Sequence, residues 1–294
     1  RYVIETNVTV PAYAELQATS NFTFLRGASH PQELAVAAAA LGLAGFALTD
    51  RNSLAGVVRA HMAAKVAGVR FIVGARLDFR CGRSLLVYPT DRAAYGRLAR
   101  LITLGRRRAP KGECHLDLAD LDSLGEGLIL IALPEGPLAR DTALATLLDD
   151  LAGRFPGPVY LAGQHLYRGD DRRRLARLAA LAARAGTPLV AVNDVHAHVP
   201  ARRPLQDVLT CIREHCTIEA AGYRLFANAE RHMKSPAEMA ELFAGHPEAL
   251  ARTVEIAERC RFSLDELRYE YPDELTEAGR TAQEELVHRT WLGA

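Results

Sequence analysis

Asp194, His196 and His198 fall at alternate positions in LVAVNDVHAHVP, residues 189–200, just behind the apolar run Leu189 to Val192. Period-two spacing puts the three side chains on one face of an extended chain. A carboxylate and two imidazoles on one face suit Zn²⁺ or Mn²⁺, provided other segments supply the remaining ligands. His198 reads as a hydrogen-bonded histidine before it reads as a ligand. No Gly-rich phosphate loop, Ser-His-Asp arrangement or pair of acid/base carboxylates stands out elsewhere.

The elements that must position this face alternate regularly. Ser29-His30-Pro31-Gln32 reads as a capping box with Pro in the first turn, opening an Ala-rich helix that Gly42 ends. FALT (46–49) is a short buried strand, and Ser53 to Ala67 has helical spacing up to Gly68. RFIVGARLDF (70–79) and SLLVYP (84–89) read as strands. Asp91 caps a helix with Tyr95, Leu98, Leu101 and Ile102 on one face. Strand and helix then alternate through 127–133, 141–151, 158–163, 170–185 and 188–192. Strands separated by helices of this length predict an α/β fold with a mainly parallel sheet or barrel. Chemistry in such folds sits at the C-terminal strand ends, where Asp50, Arg76 and Asp194 fall.

Bulk properties set limits. The chain has 294 residues, is 49% hydrophobic and 24% charged, and has a net charge of +1. That is enough apolar material for a large core, and no global field draws the chain to nucleic acid. The basic runs Arg106-Arg107-Arg108 and Arg172-Arg173-Arg174 read as solvated faces. Five scattered cysteines without a C-x-x-C pair predict reduced thiols and a cytoplasmic protein. The longest apolar run, Leu34 to Leu48, is too short to span a bilayer. From about residue 232 the texture turns helical, with a capping box at Ser235-Pro236-Ala237-Glu238. Tyr269 to Gly279 has little strand or core character. The chain ends at Trp291 to Ala294 inside a helical pattern, which reads as a truncation.

Several stretches together resemble the N-terminal PHP (polymerase and histidinol phosphatase) domain of bacterial family C DNA polymerases. They are SNFTFLRGASHPQEL (20–34), LGLAGFALTDRNSLAGVV (41–58), FIVGARLDF (71–79), TPLVAVNDVHAHVPARRPLQDVLTCIRE (187–214) and FANAERHMKSPAEMAELF (226–243). The combination of SNFTFLRGAS with RRPLQDVLTCIREHCT looks most like the error-prone, translesion branch, related to the DNA polymerase III alpha subunit. The resemblance implies a PHP-type distorted (β/α) barrel over 1–231 and a helical lead-in toward the polymerase palm over 232–294.

Metal-binding members of the family carry His-x-His where this chain has Gln17-Ala18-Thr19. By the same resemblance, further ligand positions fall on Arg26, Asp50, Arg51, Arg76 and Ser84, and a later His aligns with Leu166, one position from His165. Only Asp194, His196 and Asp50 keep the family's ligand type. Gln and Thr are poor zinc ligands, and a guanidinium has no lone pair to donate. No metal is therefore expected here; any that bound would use Asp50, Asp194 and His196. All but three of the 36 basic residues are arginine, so one arginine at a given place means little. Three at substituted ligand positions suggest a network in which Arg26, Arg51 and Arg76 fork onto Asp50 and Asp194.

The resemblance further implies a full-length DNA-directed DNA polymerase acting in damage-induced synthesis, using Mg²⁺ on palm carboxylates beyond Ala294. Within residues 1–294 no catalytic residue or cofactor is expected. The domain would be an inactive scaffold against the palm and thumb. DNA would be met through the whole enzyme, and a sliding clamp and mutagenesis accessory proteins are further candidate partners. The rival reading is a metal-dependent PHP-type phosphoesterase or 3′–5′ exonuclease, with Asp50, His165, Asp194, His196 and Glu15 or His198 as ligands. A third is a binding module for other mutagenesis factors.

Overall fold

The computed structural model describes residues 10–134, 141–268 and 280–294. Its strands are β1 (Ala14–Ala18), β2 (Gly45–Leu48), β3 (Phe71–Val73), β4 (Ala75–Asp78), β5 (Ser84–Pro89), β6 (Leu128–Ala132), β7 (Val159–Gly163) and β8 (Leu189–Ala191). Between them run α1 (Pro31–Ala40), α2 (Val57–Ala67), α3 (Arg92–Arg108), α4 (Asp120–Leu124), α5 (Asp141–Arg154) and α6 (Asp171–Ala185). After β8 come α7 (Arg203–Arg213), α8 (Ile218–Ala221), α9 (Pro236–Leu242) and α10 (Pro247–Arg259). The architecture is α/β, as the alternation predicts.

The strands form two sheets, β1-β2-β3 and β4-β5-β6-β7-β8. The first is parallel throughout; in the second, β5 is antiparallel to both neighbours and β6, β7 and β8 are parallel. Isolated bridges Ala18↔Val195 and Arg51↔Arg76 link one sheet to the other at both ends. Both faces of the strands are covered, which is why their sequences are nearly continuous apolar runs rather than alternating ones. Leu128 and Leu130 belong to the cluster packed under the helices, whereas Ile129 and Ile131 face a second cluster with Leu16, Leu86, Tyr88 and Val190. Each such fully buried leucine or isoleucine contributes about 1.5–3 kcal/mol relative to exposure.

The expected strand 70–79 is two strands. Gly74 separates them because the backbone there runs against the Tyr88 ring: a Cβ on Gly74 would lie 2.8 Å from Tyr88 Cδ1. Only glycine permits that approach, and the chain changes sheet at this point. At the start of α1 the cap is His30, not Ser29. Glu33 accepts the His30 backbone N–H at 2.8 Å, while the Ser29 hydroxyl serves His198. The Asp91 and Ser235 caps stand as read from sequence, accepting from Ala94 N and Glu238 N. Arg174 is not on a solvated face; it is buried, and its guanidinium donates to the Pro134 carbonyl at 3.3 Å.

The change of texture near residue 232 is not where the compact unit ends. Of the described residues, those up to Leu264 form one unit and those from Asp265 on a second. The difference comes from α10, which packs on β8 and β1. Its Ile256 and Ala257 lie in the second cluster, Thr253 Oγ1 accepts the Ala14 N–H at 3.1 Å, and Arg252 donates to the Leu189 carbonyl at 2.7 Å. The second unit holds α11 (Ala282–Gly293), opened by a Thr281–Glu284 capping box. The low-character segment Tyr269 to Gly279 lies outside the described residues. No helix among those described is long and apolar enough to cross a membrane.

Candidate functional site

A cavity of about 260 Å³ opens at the carboxyl ends of β1, β6, β7 and β8. Gln17 reaches it from β1, Leu133 and Pro134 from just past β6, Gln164 from just past β7, and Asp194 and His196 from beyond β8. Six arginines also line it: Arg26, Arg51, Arg76, Arg168, Arg213 and Arg231. Asp194 is the one acidic side chain among its described lining residues. Of the positions singled out in the sequence, Gln17, Arg26, Arg51, Arg76, Asp194 and His196 come together here. Thr19, Asp50 and Ser84 are buried and do not line the cavity.

Asp194 sits in the left-handed region, φ 51°, a conformation aspartate tolerates better than most residues and which turns its carboxylate back over the strand ends. Gln17 Nε2 donates to Asp194 Oδ1 at 2.7 Å, and Gln164 Nε2 in turn donates to Gln17 Oε1 at 3.0 Å. Arg231 forms an ion pair with Asp194 Oδ2 and lays its guanidinium over the Phe226 ring, 4.1 Å from the centroid. His196 meets the same ring edge-on at 5.1 Å. Burial pushes the His196 imidazole down to about 3, against a hydrogen bond to the Arg26 carbonyl, and the nearby Arg51, Arg76 and Arg26 lower it further. The ring is therefore neutral. Its Nδ1 lies 3.3 Å from that carbonyl and its Nε2 3.4 Å from Asp194 Oδ1, so the single N–H of the neutral ring has an acceptor on either side.

The expected fork of Arg26, Arg51 and Arg76 onto Asp50 and Asp194 does not form among the described residues: Asp194 takes Arg231, and Arg26 joins no ion pair. Arg51 and Arg76 do converge on one carboxylate, but it is Asp78. Arg51 Nη1 lies 2.8 Å from Asp78 Oδ2 and Arg76 Nε 2.8 Å from Asp78 Oδ1. Ser84 completes the cluster, donating to Asp78 Oδ1 at 2.7 Å and accepting from Arg76 Nη2 at 2.9 Å. Burial raises the Asp78 carboxyl, yet Arg76, Arg51 and Ser84 together hold it below its ordinary value. Asp78 stands two residues from Arg76 in ARLDF, on the same face of β4, so strand periodicity could have found it.

Among the described residues no arginine bonds to Asp50. Ser20 N and Oγ donate to it at 2.9 and 2.7 Å, and Thr23 Oγ1 at 2.7 Å. Burial still pushes its carboxyl up to about 6, the hydrogen bonds from Thr23 and Ser20 opposing. Gly27 makes this turn possible: a Cβ there would lie 2.1 Å from the Ser20 carbonyl oxygen. Glu15 is wholly buried, accepting from Tyr13 Oη at 2.8 Å and Gln17 N at 2.7 Å, and burial lifts it to about 7. His198 bonds Ser29 Oγ at 2.7 Å, as its structural reading predicts. His165 lines a different, open pocket beside Tyr167. The five ligands of the rival reading are thus not gathered into one site.

Sequence reasoning missed Arg168, Arg213, Arg231 and Phe226. They lie on loops and helix ends without a period, so no pattern marks them. Arg231 follows Asp194 by 37 residues. Their crowding is physical: burial lowers the Arg231 guanidinium to about 9, and Arg168 and Arg76 add to this. Burial lowers Arg26 to about 10, with Arg51 and Arg213 contributing.

A divalent ion needs several anionic or neutral donors. Asp194 already holds Arg231 and Gln17, His196 offers one lone pair, and the remaining charged groups among the described lining residues are guanidiniums, which repel a cation. No group of three or more His, Cys, Asp or Glu among the described residues is placed to hold a metal. The donor set does not fit a metal centre.

The PHP domain family model matches residues 15–196. The chain is 54% identical over 285 residues to an error-prone DNA polymerase of Caulobacter vibrioides, covering 97% of this chain and 26% of that protein. It is 50% identical over 289 residues to an error-prone DNA polymerase of Rhodopseudomonas palustris, again over 97% of this chain and 26% of the relative. Error-prone DNA polymerase 1 of Agrobacterium fabrum is 49% identical over 284 residues. The chain thus spans about a quarter of the length of the curated relatives it matches. With a matched segment that runs from Glu15 on β1 through the whole strand series to His196 in the cavity, this chain belongs to the PHP domain family.

Proposed function

We propose that this chain is the PHP domain of an error-prone DNA polymerase that copies damaged template, and that the domain itself is a metal-free scaffold. The observation that carries the polymerase reading is identity of 49–54% over nearly the whole chain to proteins bearing that name. The scaffold reading is supported by the donor chemistry of the cavity, where Arg231 occupies the carboxylate a metal would need. The positions Gln17, Thr19, Arg26, Asp50, Arg51, Arg76, Ser84, Asp194 and His196 are then the remnant of the family's metal site. The bridges Ala18↔Val195 and Arg51↔Arg76 favour reading the two sheets as one distorted barrel.

In the whole enzyme the domain packs against the palm and thumb, and DNA, Mg²⁺ and nucleotide are handled there, in the cytoplasm. A sliding clamp and mutagenesis accessory proteins are proposed partners of that assembly. Residues 265–294 lead toward the palm. Primer extension across an abasic template by the protein that carries this chain with its downstream sequence tests the polymerase reading; absence of extension overturns it. Metal analysis of chelator-free protein tests the scaffold reading. Far less than one equivalent of Zn, Mn or Fe is expected, and near-stoichiometric metal with phosphoesterase turnover would end it.

A further inference from the structure

The cavity combines an excess of one charge with a small, concave shape. Among its described lining residues six guanidiniums face a single carboxylate, Asp194, which Arg231 already neutralises. Arg51 and Arg76 share Asp78, and Arg213 pairs with Glu214 at 3.0 Å. Arg26 and Arg168 make no ion pair among the described residues, yet both point into the same space. Arg26 follows Leu25, which is held at φ 56° with its carbonyl accepting from Arg213 at 2.8 Å. Left-handed backbone costs a non-glycine residue roughly 1 kcal/mol, so the turn that presents Arg26 is held by its surroundings. Like charges in a low-dielectric cleft focus a field that an anion would relieve.

From this geometry we infer that the cavity is a metal-independent binding site for a multiply charged phosphate group, of the pyrophosphate or nucleotide-tail class, which is held and not cleaved. Guanidiniums fork onto phosphate oxygens, and Arg26 and Arg168, without carboxylate partners among the described residues, are placed to make those contacts. A volume of about 260 Å³ admits a small anion more readily than a whole nucleotide, whose base would remain outside. No group of three or more His, Cys, Asp or Glu among the described residues is placed to hold a metal ion that would activate water for cleavage. This inference rests on the metal-free reading of the cavity and does not depend on the polymerase assignment.

The test is calorimetric titration of the full chain with sodium pyrophosphate in EDTA at low ionic strength, with sodium chloride of equal ionic strength as control. Saturable binding at one equivalent and submillimolar Kd is expected. Removing a charge-assisted contact weakens binding roughly tenfold, so Arg26→Gln and Arg168→Gln should each do so, while the remote Arg100→Gln should not. Arg168 is exposed, so its variant tests the site even where Arg26→Gln disturbs the turn. Competition by dATP at equal or higher affinity would assign the site to nucleotide tails; failure to compete would assign it to the free anion. No saturation with the wild-type chain, or wild-type affinity in both arginine variants, overturns the inference while leaving the scaffold reading intact. Binding that appears only when EDTA is replaced by Mn²⁺ overturns both.

Discussion

Asp50 and Asp194 are both buried at the ends of parallel strands, and the molecule treats them in opposite ways. Around Asp50 the donors are neutral: two hydroxyls and a backbone N–H from the Ser20–Thr23 turn. Around Asp194 the neutralising group is a full charge, Arg231, with Gln17 as the neutral helper. The first solution leaves the carboxyl raised to about 6, so burial wins over hydrogen bonding there. The second ties the fold to one long side chain from a distant loop. Buried carboxylates can be satisfied by local turn chemistry or by a tertiary cation, and only the local kind leaves a trace in sequence.

The largest effect should come from breaking the charged solution. Arg231→Met strands a buried carboxylate and should cost about 3–5 kcal/mol in urea denaturation. Adding Asp194→Asn should recover most of that loss; a double variant no better than the single one would show that Arg231 acts through Phe226 packing instead. On the neutral side, Asp50→Ala leaves three donors without their acceptor and should cost about 2 kcal/mol, as hydroxyls can rotate to new partners. Asp50→Asn should cost less than Asp50→Ala; if it costs as much as Arg231→Met, the contrast between the two sites collapses.

The pH dependence sharpens the same comparison. Asp50 is raised from 3.8 to about 6 and Glu15 from 4.5 to about 7 in the folded protein. A carboxyl with a raised folded pKa binds more protons folded than unfolded in that window, so stability falls as pH rises from about 4 to about 7. Glu15→Gln should flatten that fall by about 1 kcal/mol or more, measured as the difference in unfolding free energy between pH 5 and pH 8. An unchanged slope would mean that Glu15 does not titrate as its burial implies.

The smallest effects concern Asp78, which has two arginines. Either can hold the carboxylate alone, so Arg51→Ala should cost about 1 kcal/mol and Arg76→Ala, which also loses Ser84, about 2 kcal/mol. Exposed Arg100→Ala should change stability by less than about 0.5 kcal/mol. Thermal denaturation of the three variants ranks them; equal losses at Arg51 and Arg100 would remove Arg51 from the cluster.

The alternation of strand and helix was legible because both faces of each strand are covered and the helices carry caps. Asp91 and Ser235 cap where their chemistry says they should. The split at Gly74 was not legible, since its cause is the Tyr88 ring on a neighbouring strand. The site divides the same way. Asp194 and His196 could be found from their spacing, and the substituted positions Gln17, Arg26, Arg51 and Arg76 from the family resemblance. Arg231, Arg168 and Arg213 could not, because loops obey no period and proximity there is made by the fold. Asp78 was legible too, because it lies two residues beyond Arg76 on the same face of β4.

Helix α10 closes the end of the first strand as a clasp closes a bracelet, through Thr253 on Ala14 and Arg252 on Leu189. A shortened protein that stops at residue 231, where the family match has already ended, would uncover Leu16, Tyr88 and Val190 to solvent. Anyone isolating this module should therefore keep the chain through Leu264, since the last helix of the first unit belongs to its interior as much as the first strand does.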